Sequence, residues 1–179
     1  MRMPKTILYI ASSLDGYIAR ADGGIDWLSV VDSEGTDYGY AEFYSGVDAI
    51  AMGSHTYQQV LGFGEWPYPG RRVFVFTHRS LERVTRDVRL TEQPPAEFVC
   101  GLDHAGVHTL WLAGGGDLVA SFMQNKLIDE YIISIVPAVL GDGIRLFREP
   151  LPRDHLELIR STNYPSGLVQ LHYRSTLDR

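Results

Sequence analysis

The run from Leu110 to Met123 limits the fold of this chain more than any other stretch. Leu110-Trp111-Leu112-Ala113 is unbroken apolar sequence, as in a central strand covered on both faces. Gly114-Gly115-Gly116 follows. Asp117 then opens a segment in which Leu118, Val119, Phe122 and Met123 recur at helical spacing. A strand that passes through glycine into a helix presents bare main chain, free N–H groups and the positive end of the helix dipole. That is an anion seat, and a phosphate-bearing ligand is the first expectation. A tight turn also needs glycine, but one residue would serve it.

Composition narrows the classes. The 179 residues fit a single domain, 1–179, long enough to bury a sizeable core. The net charge of −6 and the lack of a basic stripe argue against nucleic acid or an anionic membrane as a partner. No apolar run is long enough to span a bilayer. Met1 to Lys5 lead straight into a strand without an apolar leader, and Cys100 is the lone cysteine. A cytoplasmic protein without an internal disulfide is the expectation. Cys100 falls in an amphipathic segment and reads as core.

Taken in order, strands and helices alternate. Thr6–Ala11 reads as a central strand, and a long loop rich in turn residues runs from Ser12 to Gly24. A helix is expected over 33–45, with Tyr40, Phe43 and Tyr44 inward. Val47–Met52 forms a strand, and Gly53-Ser54-His55-Thr56 opens a helix to about Leu61. Ser54 or Thr56 can cap that helix or donate to a phosphate. Arg71–Thr77 is a strand with a polar, basic end, Thr77-His78-Arg79. Val88 and Leu90 mark a short strand, Pro94-Pro95 a helix start, and His108–Ala113 the strand before the glycines. Leu127–Val136 is β-branched enough for a strand. Two alternating segments flank Asn163–Gly167 as a hairpin. The expected architecture is an α/β three-layer sandwich: a mostly parallel central sheet closed by a C-terminal antiparallel hairpin.

Ligands of open α/β sheets lie beyond the carboxyl ends of the strands. Three ends carry glycines or hydroxyls: Gly53–Thr56, Thr77–Arg79 and Gly114–Leu118. Together they suit an elongated ligand with separated phosphates, a dinucleotide. The usual fingerprints are absent: Val119 stands where G-x-G-x-x-G needs its last glycine, and no glycine loop ends in Gly-Lys-Ser/Thr. His104 and His108 have no acidic partner, and no metal site is expected.

Several motifs together resemble the dihydrofolate reductase superfamily, in the branch of the reductase domain of riboflavin-biosynthesis deaminase-reductases. They are Ser13-Leu14-Asp15-Gly16-Tyr17-Ile18-Ala19, Gly23-Gly24-Ile25-Asp26-Trp27-Leu28, Met52-Gly53-x-x-Thr56-Tyr57, Pro69-Gly70-Arg71, Ala113–Gly116 and Leu140-Gly141-Asp142-Gly143-x-x-Leu146-Phe147. The resemblance spans about residues 6–175 and implies a dihydrofolate-reductase-like fold and an NADPH-dependent reductase of a pyrimidine or pteridine-like substrate. By carry-over, Ala11 and Ile18 border the nicotinamide, and Asp15 and Gly16 lie in a loop over the site. Gly53, Ser54, His55, Thr56, Thr77, His78 and Arg79 hold the adenosine and phosphate side. Gly114, Gly115, Gly116, Asp117 and Leu118 hold the pyrophosphate and nicotinamide side. The Gly141-Asp142-Gly143 loop packs near Asp15.

The chain departs from the pattern in two ways. Ser54 and His55 stand where the family commonly has a basic residue for the 2′-phosphate of NADPH, which leaves NADH open as an alternative. No accompanying deaminase domain is expected, since the resemblance is to the reductase part alone. Hydride transfer needs a balancing proton, and Asp32 and Asp15 are the expected acids. Asp32 follows Trp27 by five residues, the spacing folate enzymes use, although a charge near a helix start explains it equally. Trp27, Asp32 and Arg71 are the expected substrate residues. Alternatives are a true dihydrofolate reductase and a non-catalytic, dimeric nucleotide-binding module. Related reductases are often homodimers, so an exposed apolar patch over Ile132–Val136 and Leu140–Phe147 is expected.

Overall fold

The computed structural model describes residues 3–32 and 34–177. The chain opens with β1 (Lys5–Ser13) and a short β2 (Tyr17–Ala19). Then come α1 (Tyr40–Ser45), β3 (Ala49–Gly53), α2 (Ser54–Leu61), β4 (Arg72–Phe76), β5 (Val88–Thr91) and α3 (Pro95–Leu102). The second half holds β6 (Thr109–Gly114), α4 (Gly116–Gln124), β7 (Glu130–Val136), β8 (Ile144–Arg145), β9 (Leu156–Asn163) and β10 (Val169–Ser175). Eight strands form one sheet in the order β5-β4-β3-β6-β1-β7-β10-β9, and β2 pairs with β8 separately. The first six run parallel, while β10 is antiparallel to both β7 and β9. The expected mostly parallel sheet with a closing hairpin is the fold.

Alternation along the strands sorts side chains to two faces. Leu8, Ala49, Ala51, Phe74, Leu110 and Leu112 go to one face, under α3 and α4, with Val99, Val119 and Phe122. Ile50, Met52, Val73, Val75 and Trp111 go to the other, under α2, with Tyr57 and Val60. Phe122 is fully buried; its truncation to alanine costs about 3–5 kcal/mol. Around Trp111 stand the rings of Tyr9, Tyr40, Phe43, Tyr44 and Tyr68, with centroids 5.5–6.4 Å away. A third small core gathers Trp27, Val31, Val136 and Leu168 where a 3-10 helix, Asp26–Val31, lies by the end of β7.

Several boundaries differ from the sequence reading. The helix expected over 33–45 begins only at Tyr40; its first residue, Ser33, lies outside the described residues. Gly35, Tyr38 and Gly39 have positive φ. The Asp37 carboxylate accepts from the N–H groups of Gly39 and Ala41, which fixes the start. The strand expected from Leu127 begins at Glu130, because the Leu127 N–H closes the end of α4 on the Phe122 carbonyl. Cys100 is exposed, on the outer side of α3, and not in the core.

The expected apolar patch on Ile132–Val136 is not there. β7 is paired on both edges, and Ile133, Ser134 and Val136 are buried. In the 140–147 segment Leu146 is buried, and Phe147 is exposed. The largest run of exposed apolar side chains on a strand is on β9, with Leu156, Leu158 and Ile159. No described helix is long and apolar enough to cross a membrane.

Candidate functional site

Two chain reversals create a crevice. From β3 the chain proceeds through α2 outward to β4, and from β6 it proceeds through α4 across β1 to β7. The helices leave neighbouring strands for opposite faces, so their N-terminal ends flank an opening at the carboxyl ends of β3 and β6. An open cavity of about 2150 Å³ runs along that edge of the sheet.

At one end it is lined by Thr91–Pro95 after β5 and by Phe76, Thr77, His78 and Arg79 after β4. Its middle is lined by Gly53, Ser54, His55 and Thr56, and by Gly115, Gly116, Asp117 and Leu118. The other end is lined by Ala11, Tyr17, Ile18, Ala19, Asp22, Gly23, Ile25, Leu28 and Gln59. Three strand ends named from sequence therefore share one cavity.

At α2, Gly53 is the cap residue and no side chain caps the helix. The hydroxyls of Ser54 and Thr56 are not spent on capping. Arg79 Nη2 donates to Ser54 Oγ at 2.8 Å and to Gln58 Oε1 at 3.4 Å. Arg79 has no acidic partner among the described residues. Beside it His78 faces Glu92 at 3.4 Å. A guanidinium held only by neutral groups keeps its full charge for an anion.

At α4 the glycines meet steric need. Gly114 has φ +115°, and a Cβ there would lie 3.1 Å from Ile10 Cδ1. A Cβ on Gly115 would lie 3.5 Å from Thr56 Oγ1. A Cβ on Gly116 would lie 2.4 Å from the carbonyl oxygen of Arg145. The segment after β8 crosses the start of α4 here, and Arg148 pairs with the Asp117 carboxylate.

β8 is held from the other side by the Asp15 loop. Asp15 Oδ1 accepts from Ser13 Oγ at 2.6 Å and from the Leu140 N–H at 3.1 Å. Its Oδ2 accepts from the Gly141 N–H at 2.7 Å. The Ser13 hydroxyl, aided by these amides, holds the Asp15 carboxyl down at about 2. Both oxygens are engaged in joining two loops, so Asp15 is a fastening and not a free acid. Neither Asp15 nor Gly16 lines the cavity. β2 pairs with β8, and the Arg145 guanidinium stacks over the Tyr17 ring at 4.9 Å. Gly143 sits at φ +137°, where a Cβ would lie 2.3 Å from the Ala19 carbonyl oxygen.

Three expected substrate residues stand apart from the cavity. Asp32 is exposed just beyond the 3-10 helix, its N–H on the Ser29 carbonyl. Trp27 is buried in the third core. Arg71 lies 5.0 Å over the Tyr44 ring and donates to the Tyr44 carbonyl. Asp32 is the C-terminal cap of the 3-10 segment Asp26–Val31 and is not part of the cavity lining. The Gly141-Asp142-Gly143 loop packs on the Asp15 loop as expected, but sequence reasoning missed the β2–β8 pairing and the lining it brings, Arg145, Phe147 and Arg148. The signal was there in Gly141 and Gly143 beside Ile144-Arg145. Also missed was Gln59, whose side chain donates to the Gly23 carbonyl at 2.8 Å and fixes the loop over α2. No cluster able to hold a metal ion is present among the described residues.

Comparisons with known proteins agree with this geometry. The RibD C-terminal domain family matches residues 4–170. YwjB of Bacillus subtilis, a protein without an assigned role, is 41% identical over 170 residues, covering 94% of this chain and 97% of its own. RibD of Haemophilus influenzae is 41% identical over 49 residues, which is 27% of this chain and 13% of that protein. Among solved structures, a Shewanella sp. PV-4 protein provisionally named for riboflavin biosynthesis superposes with a TM-score of 0.89. It is 32% identical, over 97% of this chain and 99% of that one. The deaminase/5-amino-6-(5-phosphoribosylamino)uracil reductase of Thermotoga maritima shares the fold at 15% identity and a TM-score of 0.71. This chain covers 57% of that one, against 97% of its own length. By sequence and by fold, the chain belongs to the RibD C-terminal domain family.

Proposed function

We propose that the protein is an NADPH-dependent reductase of a small pyrimidine or pteridine-like heterocycle. One observation carries the reading: three strand ends and two helix starts open into one cavity beside Arg79, a cation with no acidic partner among the described residues. Family membership supports a riboflavin-type reductase fold.

The residues present fit a dinucleotide. Gly53, Gly115 and Thr56 leave a strip of bare main chain between α2 and α4, which a single Cβ on Gly115 would narrow. The first N–H groups of both helices lack partners within the helix and suit phosphate oxygens. Ser54, His55 and Arg79 would hold the 2′-phosphate side, and Gly116, Asp117 and Leu118 the pyrophosphate. Ala11 and Ile18 would flank the nicotinamide. When bound, the nicotinamide supplies the hydride.

The protein's share is orientation and exclusion of water. The β2–β8 strap, fastened by Asp15, covers one side of the cavity, and Gln59 ties the loop at the other end. The proton that balances the hydride reaches the substrate within the Ala11–Leu28 end. Asp22 and Asp142 are the carboxyls lining it.

Titration with NADPH and NADH, followed by nucleotide fluorescence, tests the reading. Binding of NADPH at least about tenfold tighter than NADH is expected from one charge-assisted contact to the 2′-phosphate. Binding of neither ends it.

A further inference from the structure

Helix α2 enters the cavity by its first turn, and its two flanks meet different ends of it. Ser54 and Gln58, four residues apart, both meet Arg79. Thr56 and Gln59, three apart, form the other flank. Thr56 Oγ1 lies along the β6 glycines, 3.9 and 3.5 Å from where a Cβ of Gly114 and of Gly115 would stand. Gln59 stands about 4.5 Å further along the axis, against Gly23, in the end of the cavity walled by Ala11, Ile25 and Leu28. Its amide is held one way round. The Gly23 carbonyl can only accept, so the nitrogen must face it, and Nε2 donates there at 2.8 Å. Oε1 is thereby turned away from the loop. It accepts from no group among the described residues and is not a buried orphan, so it opens to the cavity that Gln59 lines. The other uncharged polar group at this end, the Tyr17 hydroxyl, is turned to the Gly141 carbonyl at 3.4 Å. The charged ones, Asp22, Asp142 and Arg145, are on exposed residues.

A single oriented acceptor among apolar side chains sorts ligands by their donors. A ring that brings an N–H satisfies it, and a ring without one strands the oxygen against an apolar edge. Resting on the reductase reading above, we propose that Gln59 is a specificity-determining residue whose Oε1 accepts from an unsubstituted ring N–H of the substrate. It thereby selects lactam or imide heterocycles over their N-alkylated forms. The Gly23 carbonyl is the positioning group, because it decides which end of the amide faces the ring.

Two rings of one skeleton test this, 5,6-diaminouracil and 5,6-diamino-1,3-dimethyluracil, each titrated calorimetrically into the NADPH-saturated protein. The ring with free N–H groups is expected to bind at least about tenfold tighter. In Gln59→Met, which keeps the length and removes the acceptor, that ring should lose at least about tenfold and the dimethyl ring less than about threefold, so the gap closes. In Gln59→Glu, which keeps an acceptor and gives up the N–H to Gly23, the gap should stay even as the freed loop weakens both compounds. Gln59 is half-buried on a helix surface, and NADPH binding, measured first in every sample, reports the fold. Gln59→Leu takes the place of the Met variant if that one does not bind NADPH. Equal losses for both rings in the apolar variant would make Gln59 a tether of the loop only, and would overturn the inference. A gap that closes in the Glu variant, or no binding of diaminouracil to the NADPH-loaded wild type, overturns it as well. Failure of the wild type to bind NADPH ends the reductase reading itself, and this inference with it.

Discussion

At the β3–α2 junction a methyl group on Gly53 would find only ordinary contacts, the nearest 3.7 Å away at the Gly115 nitrogen. At the β6–α4 junction a methyl group on Gly116 would press to 2.4 Å on a backbone oxygen. The sequences around the two look alike: a strand, glycine, then a helix. The difference is that α2 starts in the open, while α4 starts beneath the strap. Glycine at 53 leaves room for a ligand. Glycine at 116 leaves room for the protein itself. The charges follow the same division: among the described residues Arg79 beside α2 pairs with no carboxylate, and Arg148 beside α4 has Asp117.

Substitutions sharpen or break this contrast, and the largest effect is expected at Gly116. Gly116→Ala must displace the strap or the helix start, at a cost of about 1–3 kcal/mol, the range of overpacked cores. Urea unfolding measures it, and an unchanged midpoint would place the strap elsewhere. Next comes Arg79→Ala, which should weaken NADPH about tenfold and leave NADH nearly untouched, with no change in stability. Equal losses for both nucleotides would show that Arg79 does not read the 2′-phosphate.

The Asp15 fastening belongs to the α4 side, and its effect is smaller and depends on pH. Its folded carboxyl lies near 2, below the ordinary 3.8. A depressed value stabilises above the unfolded pKa and is lost as pH falls from about 4 toward 2. Asp15→Asn should therefore quicken amide exchange over residues 138–145 at neutral pH, with the difference from wild type fading below pH 4. A difference that persists at pH 2 would contradict the carboxylate's role. The smallest change in stability, within about 0.5 kcal/mol, is expected for Gly53→Ala, whose φ of −79° any residue adopts. Weaker NADPH binding with unchanged stability would mark Gly53 as a ligand-facing position.

The parallel sheet was legible because buried strands are written as apolar runs, as in Leu110–Ala113, and helix starts as glycines and hydroxyls. Those signals are local. The convergence of Gly53–Thr56, Thr77–Arg79 and Gly115–Leu118 on one cavity followed from the rule about strand ends. The substrate side was less legible. The positions of Asp32 and Arg71 depend on how a short 3-10 segment and a loop are oriented, which packing against Val136 and Tyr44 settles. Asp15 carries the chemistry of an acid, and only its partners, Ser13, Leu140 and Gly141, show that both oxygens are engaged. The two-residue strand β8 is too short to show a period of two, and the apolar residues of β7 are taken up by two separate cores, Tyr131 and Ile133 by one and Val136 by the other.

The aromatic slab around Trp111 also makes the molecule an optical instrument. Tyr9, Tyr40, Tyr44 and Tyr68 stand within 6.4 Å of that indole, so light absorbed by tyrosine is handed to it. Trp111 sits on β6, the strand that ends in the cavity's glycines, and Trp27 packs beside Ala11 of β1. Indole emission overlaps the absorption of a reduced nicotinamide. A bound dihydronicotinamide would dim the protein's own fluorescence, and occupancy of the cavity could be followed in solution without attaching any dye.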